Sequence, residues 1–155
     1  MGKKIRRAIG AMLMAIAVAV TQLPVSDVEA EGTAADNAAE TASVSDFQVN
    51  GTTLVKYNGT SENVSISNYV EKIESEAFAG NDYVRTVTIG DGVLSIGSGA
   101  FKGCSQLQSV TVADSVETIG QAAFADCPSL SSVQIGKGLT ELGNGAFAGD
   151  ESLMF

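Results

Sequence analysis

The apolar residues of this chain recur at a fixed spacing. An Ala-Phe pair occurs four times, at Phe78, Phe101, Phe124 and Phe147, and each phenylalanine lies 23 positions after the last. Five further apolar positions keep the same phase, at six, nine, eleven, fifteen and eighteen positions after the phenylalanine. A period of this length is typical of a solenoid, in which each unit forms one coil and buries its apolar side only against neighbouring coils.

Each unit contains one short segment in which polar and apolar residues alternate. The clearest copy is Ser-Val-Thr-Val at residues 109–112. The alternation and the β-branched residues predict a strand with one buried face. Successive coils run in the same direction, so the strands are expected to pair in parallel, and the crossover rule predicts a right-handed coil. The predicted strands lie near residues 64–66, 87–89, 110–112 and 133–135.

The rest of each unit supplies turns and one large interior side chain. A turn follows each strand, and a Val-x-x-Ile segment, or Leu-x-x-Leu in the last copy, leads to a second edge. The Gly-rich residues 97–101 predict a turn and a short helical or 3-10 piece. The phenylalanine is expected to fill the coil interior. The predicted fold is therefore an α/β solenoid, with a short parallel sheet on one face and short helical or 3-10 turns on the other.

The residues before the first regular unit predict an N-terminal β-hairpin cap. Asn50-Gly51 supplies the positive φ angles of a tight turn. The phase of the repeat continues here in part, with Val55 and Ser61 at the places of the repeat phenylalanine and leucine. Atypical first units are expected, because the end of a solenoid must cover its open core. We predict a capping hairpin over residues 46–63.

About four coils are predicted over residues 64–155, with the last one incomplete. By the period, the first inward residue of a further strand is due directly after Phe155. A terminal repeat without a cap leaves apolar surface exposed. We therefore expect the chain to be a piece of a longer protein.

Residues 1–30 have the features of an export signal. Lys3, Lys4, Arg6 and Arg7 precede an uncharged apolar run at residues 8–20, and Val-Glu-Ala at residues 28–30 fits signal peptidase cleavage. A membrane anchor is the alternative, but a span needs about 20 apolar residues. We predict a Sec-type signal peptide over residues 1–30, no stable membrane span after its cleavage, and a secreted or cell-surface protein. Residues 31–45, rich in alanine and without aromatic residues, predict a flexible acidic linker.

The charge of the mature chain argues against a nucleic-acid partner. Residues 1–30 hold four of the nine basic and two of the eighteen acidic residues, which leaves five basic and sixteen acidic residues and a net charge of −11. Such a surface repels phosphate backbones. Solubility is the simplest reason for the charge.

The spacing Ile-x-x-x-Ala-Phe-x-x-Cys-x-x-Leu-x-x-Val-x-Val at residues 96–112 resembles the BspA-like leucine-rich repeat. The resemblance extends over roughly residues 46–155. It implies a leucine-rich-repeat solenoid of secreted or surface proteins, mostly bacterial, that are implicated in adhesion to host or matrix proteins and to other cells. It implies no catalytic residues.

Polar residues of the predicted strands form the candidate binding surface. If the alternating Val and Ile side chains point inward, these residues point outward and form two columns. The eight residues are Asn63, Ser65, Thr86, Thr88, Ser109, Thr111, Ser132 and Gln134. They predict non-catalytic recognition of an extracellular protein or glycan. The alternatives are ordinary solvent-facing residues selected for β propensity and, for the whole chain, a structural spacer that presents another domain of a longer surface protein.

Cys104 and Cys127 occupy equivalent positions in adjacent units. In an exported protein such a pair can form a disulfide if the Cα atoms lie within about 7 Å. The simpler interpretation is two small buried residues that fill the same corner of their coils. The sequence favours the second interpretation and leaves the first open.

No motif in the chain indicates an enzyme, a cofactor or a metal site. The chain has no histidine, and it contains no Gly-x-Ser-x-Gly elbow, P-loop or Asp-x-Asp calcium loop. Two cysteines without histidine are too few for a structural zinc site. We expect no catalytic, cofactor-binding or metal-binding residues.

Overall fold

The computed structural model describes residues 42–154, which form a β-solenoid of about four coils. The predicted signal peptide and residues 31–41 of the predicted linker lie outside the described residues. Each coil contributes one strand to each of two sheets. The strands are β1 (Phe47–Asn50), β2 (Thr53–Tyr57), β3 (Asn63–Ile66), β4 (Lys72–Ile73), β5 (Thr86–Ile89), β6 (Ser95–Ile96), β7 (Ser109–Val112), β8 (Thr118–Ile119), β9 (Ser132–Ile135) and β10 (Glu141–Leu142).

The first sheet has the order β3-β5-β7-β9, and its strands are all parallel. Each residue pairs with its equivalent in the next repeat, so that Val64 lies beside Val87 and Val87 beside Val110. These three valines are at most 2% exposed. The predicted strands, their parallel pairing and their inward face are confirmed, whereas the right-handed sense of the coil stays a prediction.

The second sheet was not predicted. It has the order β1-β2-β4-β6-β8-β10, and its two-residue strands β4, β6, β8 and β10 pair in parallel. The last residues of the Val-x-x-Ile segments form it: Ile73, Ile96 and Ile119 lie side by side and are at most 2% exposed. Strands of two residues are too short to show an alternating pattern, which is why the sequence indicated only an edge here.

The helical or 3-10 piece predicted at residues 97–101 and their copies is not confirmed. The amide groups alternate between two partners. Lys102 N donates to the Gly99 carbonyl, 3.0 Å away, whereas Phe101 N and Gly103 N donate to Ala123 O and Ala125 O of the next coil, at 2.7 and 2.9 Å. A continuous helix would need all of these amides for bonds within the segment. The segment is therefore a row of turns that the neighbouring coil holds, and the 3-10 helix among residues 42–154 is Val44–Asp46.

The residue two places before each phenylalanine has a left-handed backbone. The φ angles are +59° at Glu76, +59° at Gly99, +53° at Ala122 and +64° at Gly145. This conformation costs an L-residue roughly 1–2 kcal/mol, whereas glycine adopts it freely. The coils that carry Glu76 and Ala122 therefore contain local backbone strain that the other two lack.

Replacing Ala122 by glycine is expected to stabilise the protein. Relief of the left-handed strain outweighs the extra entropy of glycine in the unfolded chain, about 0.5–1 kcal/mol, so the expected net gain is about 0.5 kcal/mol. The matched control is Ala123→Gly, because Ala123 is fully buried and has no positive φ. The control should lose about 1.5 kcal/mol. Urea denaturation of both variants gives the comparison, and equal losses from the two would contradict the strain argument.

The repeat phenylalanines stack in one interior column, as predicted. The ring centroids are 4.5 Å apart for Phe78 and Phe101, 5.1 Å for Phe101 and Phe124, and 5.3 Å for Phe124 and Phe147. The first three rings are at most 1% exposed, and Phe147 in the last coil is partly buried. The column is the centre of the hydrophobic core.

At its N-terminal end the column continues through a residue that the repeat phase did not indicate. Tyr57 stacks on Phe78 at 4.8 Å, and Phe47 packs on Tyr57 at 4.9 Å. The prediction that Val55 takes the place of the phenylalanine is wrong, because Val55 is 39% exposed. Ser61 is buried at the place of the repeat leucine, as predicted.

The hairpin predicted around Asn50-Gly51 is present. Strands β1 and β2 pair antiparallel, and Gly51 has a φ of +61°. Strand β2 also pairs in parallel with β4, so the hairpin is a continuation of the second sheet. Phe47 and Val49 pack against the core. The role of the hairpin as a cap stays a prediction.

Candidate binding surface

The eight predicted surface residues lie together on the first sheet in two columns. Strand pairing places Asn63, Thr86, Ser109 and Ser132 side by side in one column. The second column is Ser65, Thr88, Thr111 and Gln134. Neighbouring strands are about 4.8 Å apart, so each column presents one polar side chain per coil at that spacing. We call these eight residues the polar face.

The outward direction of the polar face follows from the alternating burial along each strand. In β5, Val87 and Ile89 are 1% exposed, whereas Thr88 is exposed and Thr86 is partly buried. Strand β3 alternates in the same way, and in β7 the partly buried Ser109 and Thr111 alternate with the buried Val110 and Val112. The inward residues form the core and the polar residues meet solvent, so the faces were assigned correctly from the sequence.

The polar face carries no charge and little internal hydrogen bonding. Thr86 Oγ1 donates to Asn63 Oδ1 at 2.7 Å, which links the first two coils. The other six side chains make no hydrogen bond to any residue within 42–154, so their donors and acceptors are open to a ligand. At the edge of the face, Arg85 Nε lies 3.5 Å from Glu62 Oε1, and these two charges offset each other.

Two exposed tyrosines, three positions after β3 and three positions before β5, were not singled out from the sequence. Tyr69 and Tyr83 are 49% and 55% exposed. Tyr83 lies three positions before Thr86, and its amide donates to Asn81 Oδ1 at 2.9 Å. Asn81 also donates through Nδ2 to the Gly59 carbonyl, which fixes this corner to the preceding coil. The sequence does contain a signal for Tyr83, because the equivalent positions of the next two repeats are Gln106 and Ser129, which are not aromatic.

The two cysteines are free and buried. Each thiol donates to a carbonyl of the preceding coil: Cys104 Sγ to Phe78 O and Cys127 Sγ to Phe101 O, both at 3.2 Å. Burial, the largest cause, raises the pKa of each thiol from 9.0 to about 12. The interpretation as small buried residues is confirmed, and neither thiol has the thiolate character of a nucleophile.

We expect the two thiols to be unreactive towards thiol reagents in the folded protein. Incubation with an aromatic disulfide reagent at pH 8 should label neither, because the thiolate is the reactive form and both sulfurs are buried. The same reagent in concentrated urea should label two thiols per chain. Rapid labelling of the folded protein would contradict the burial, and no labelling in urea would indicate a disulfide.

Asp150 occupies the repeat position of the two cysteines in the last coil. Its Oδ1 accepts a hydrogen bond from Cys127 N at 2.9 Å. Burial raises the pKa of this carboxyl above its usual value. The carboxylate therefore accepts a hydrogen bond from a backbone amide of the preceding coil. Within residues 42–154, no group of three His, Cys, Asp or Glu residues could hold a metal ion.

The last coil is more open than the others. Ile135 is 39% and Leu142 is 50% exposed, whereas their equivalents Ile89 and Ile119 are each 1% exposed. A cavity of about 290 Å³ lies here, lined by Ser131, Ser132, Val133, Ile135, Phe147, Leu153 and Met154.

Among residues 42–154, no helix is long and apolar enough to cross a membrane.

Comparison with known families gives one clear match. The model of the BspA type leucine-rich repeat region matches residues 55–154 in six copies. The first sheet has one strand per coil and four strands in all, so the six matched copies are not six separate coils. No curated protein matches the chain.

Several bacterial leucine-rich-repeat proteins of known structure have the same fold. The Treponema pallidum protein has a TM-score of 0.65 and 22% identity, and the match covers 74% of this chain and 69% of that one. A leucine-rich cell surface protein of Faecalibacterium prausnitzii has a TM-score of 0.53 and 28% identity, over 69% of this chain and 39% of that one. A leucine-rich-repeat protein of Bacteroides ovatus has a TM-score of 0.52 and 27% identity, over 59% of this chain and 30% of that one. The chain therefore spans less than half the length of the last two.

Proposed function

Because this chain belongs to the BspA-type leucine-rich-repeat family, we propose that it is a non-catalytic binding module of a secreted or cell-surface protein. The proposed partner is an extracellular protein or glycan. The proposed site is the polar face, and the proposed role is adhesion or recognition.

The observation that carries this proposal is the alignment of eight neutral, hydrogen-bonding side chains on one sheet. Equivalent residues of successive repeats lie side by side, so the polar columns lengthen with every coil. Contacts that are weak one by one can add up along such a surface. Serine, threonine, asparagine and glutamine hydrogen-bond well but supply no nucleophile or acid without an activating partner.

Two observations support a location outside the cytoplasm. Residues 1–30 have the pattern of an export signal. The related Faecalibacterium prausnitzii protein is described as a cell surface protein.

A structural spacer is the second candidate. The observation that favours it is the small size of the polar face, which has only four short strands. A spacer needs the stiffness of the coils but not the identity of their outward side chains. The two candidates therefore differ in how they respond to surface substitutions.

The test is a triple substitution of Thr86, Ser109 and Ser132 by lysine. Binding to immobilised matrix proteins and glycans should be lost, because three bulky charges cover one column of the polar face. The matched control replaces Ser98, Gln121 and Asn144 by lysine; these three residues are exposed and share another repeat position. The control has the same charge change and should keep its binding, and circular dichroism should show that both variants fold. Unchanged binding by the first variant would remove the polar face as the site and favour the spacer.

A further inference from the structure

We infer that the polar face binds a neutral oligosaccharide in an extended conformation, lying across the four strands. This inference rests on the proposed function and narrows the ligand from protein or glycan to one chemical class. Area, spacing, charge and a flanking aromatic residue support it, each from a different observation.

The area of the polar face favours a small ligand. Four strands about 4.8 Å apart span about 14 Å, and the strand length at about 3.3 Å per residue is about 13 Å. The flat footprint of the polar face within residues 42–154 is therefore about 200 Å², against about 800 Å² per partner for a standard protein–protein interface. A globular protein would extend far beyond the face, whereas a chain of three or four sugar rings would cover it.

The spacing of the polar side chains along the solenoid axis favours a chain of sugar rings. Each column presents one polar side chain per coil, about every 4.8 Å. An extended polypeptide presents same-side groups about every 6.8 Å, about 2 Å more than the coil spacing, so it is out of step with the columns from the first coil. A β-1,4-linked chain of pyranose rings advances by roughly the coil spacing per ring, and successive rings are turned over. One ring per coil therefore places sugar hydroxyls over every strand, and the same ring face returns on every second strand.

The polar face is neutral and can both donate and accept hydrogen bonds. A sugar hydroxyl both donates and accepts, as do the hydroxyls of serine and threonine and the amides of asparagine and glutamine. All eight side chains are neutral, and the nearest ion pair, Arg85 with Glu62, is internally balanced. A charged polysaccharide or an acidic peptide would find no counter-charge on this face. The side chains are also mostly short, so ordering them on binding costs little rotamer entropy.

Tyr83 is an exposed aromatic residue three positions before β5. It is 55% exposed on the coil that carries Thr86, and Asn81 holds its backbone. Tyrosine combines an apolar ring with a polar hydroxyl and is suited to surfaces that are apolar on one side and wet on the other. The faces of pyranose rings have this character. We assign Tyr83 to the contact with the sugar ring at the N-terminal half of the face.

The experiment titrates the full chain with two neutral β-1,4-linked hexaoses: cellohexaose and chitohexaose. Binding is followed by calorimetry and by NMR shifts of the amides in β5 and β7. At least one hexaose should bind and shift those amides. The α-linked isomaltohexaose and the charged hexagalacturonate should bind at least tenfold more weakly.

Near-isosteric variants test the site. The triple change Thr86→Val, Thr88→Val and Thr111→Val removes three hydroxyls but keeps β-branched side chains, and it should weaken hexaose binding at least tenfold. The matched control is Thr118→Val on the second sheet, which should bind as the parent does. Tyr83→Ala should weaken binding by a similar factor and leave the melting temperature unchanged.

The outcomes separate this inference from the proposed function. Suppose that no hexaose binds, but that the lysine variant of the polar face loses binding to matrix proteins. The inference of an oligosaccharide ligand is then wrong, and the proposed function as a binding module is supported. If a hexaose binds equally to the parent and the valine variant, the polar face is not its site. If isomaltohexaose or hexagalacturonate binds as tightly as the β-linked neutral sugars, the arguments from spacing or charge fail.

Discussion

Replacement of Phe101 by alanine is expected to lower the free energy of unfolding by ~3–5 kcal/mol. Phe101 is fully buried, and its ring lies between those of Phe78 and Phe124, at 4.5 and 5.1 Å. The coils above and below are fixed to its own by backbone hydrogen bonds in both sheets, so they cannot collapse into the space that the ring leaves. Urea denaturation followed by circular dichroism measures the loss.

The control for this prediction is Thr111→Ala. Thr111 lies on the polar face of β7 and makes no side-chain hydrogen bond within residues 42–154, so its loss should cost well under ~1 kcal/mol. The pair tests the assignment of the inner and outer faces. Similar losses from the two variants would mean that the ring column is not the centre of the core.

Gly120→Ala is expected to cost about 3 kcal/mol or more, although only one methyl group is added. A Cβ atom at Gly120 would lie 2.5 Å from Ser98 N and 2.7 Å from Gly97 C, both backbone atoms of the preceding coil. Backbone that is bonded to its neighbours on both sides cannot move away as a flexible side chain could. The added methyl group therefore forces two coils apart, and thermal denaturation should show a large fall in melting temperature.

The matched control is Gly80→Ala. A Cβ atom at Gly80 would meet nothing within 4 Å, but Gly80 has a φ of +70°. Only the left-handed backbone penalty of ~1 kcal/mol is expected. If Gly120→Ala lowered the melting temperature no more than Gly80→Ala does, the two coils would be farther apart at Gly120 than they are in the structure.

The sequence predicted the first sheet and the polar face because both depend on a strict repeat. Val87, Val110 and their equivalents share one phase, and the constant period places Thr86 beside Ser109 without any knowledge of tertiary structure. Each coil buries its residues against a near-copy of itself, so local pattern and global packing agree. The eight residues of the polar face could therefore be named one by one.

The features that the sequence did not predict depend on contacts between unlike segments. Tyr57 joins the aromatic column because it lies seven positions before Val64, whereas Phe78 lies nine positions before Val87, so the inward ring is shifted by two positions from the repeat phase. The turns beside Phe101 resemble a helix in composition, but half of their amides bond to the next coil. Tyr83 breaks the repeat, so a search for recurring residues passes over it. In each case the missing information is a partner outside the local pattern.

The constant pairing of equivalent residues in successive repeats sets how this chain can fold. Every parallel contact in both sheets closes a loop of nearly the same short length, whether it lies in the first coil or the last. In most all-β folds, loop closure over long stretches of chain slows folding. Here an additional coil lengthens the protein without lengthening any loop. Folding can therefore start at any adjacent pair of coils and advance one coil at a time in either direction.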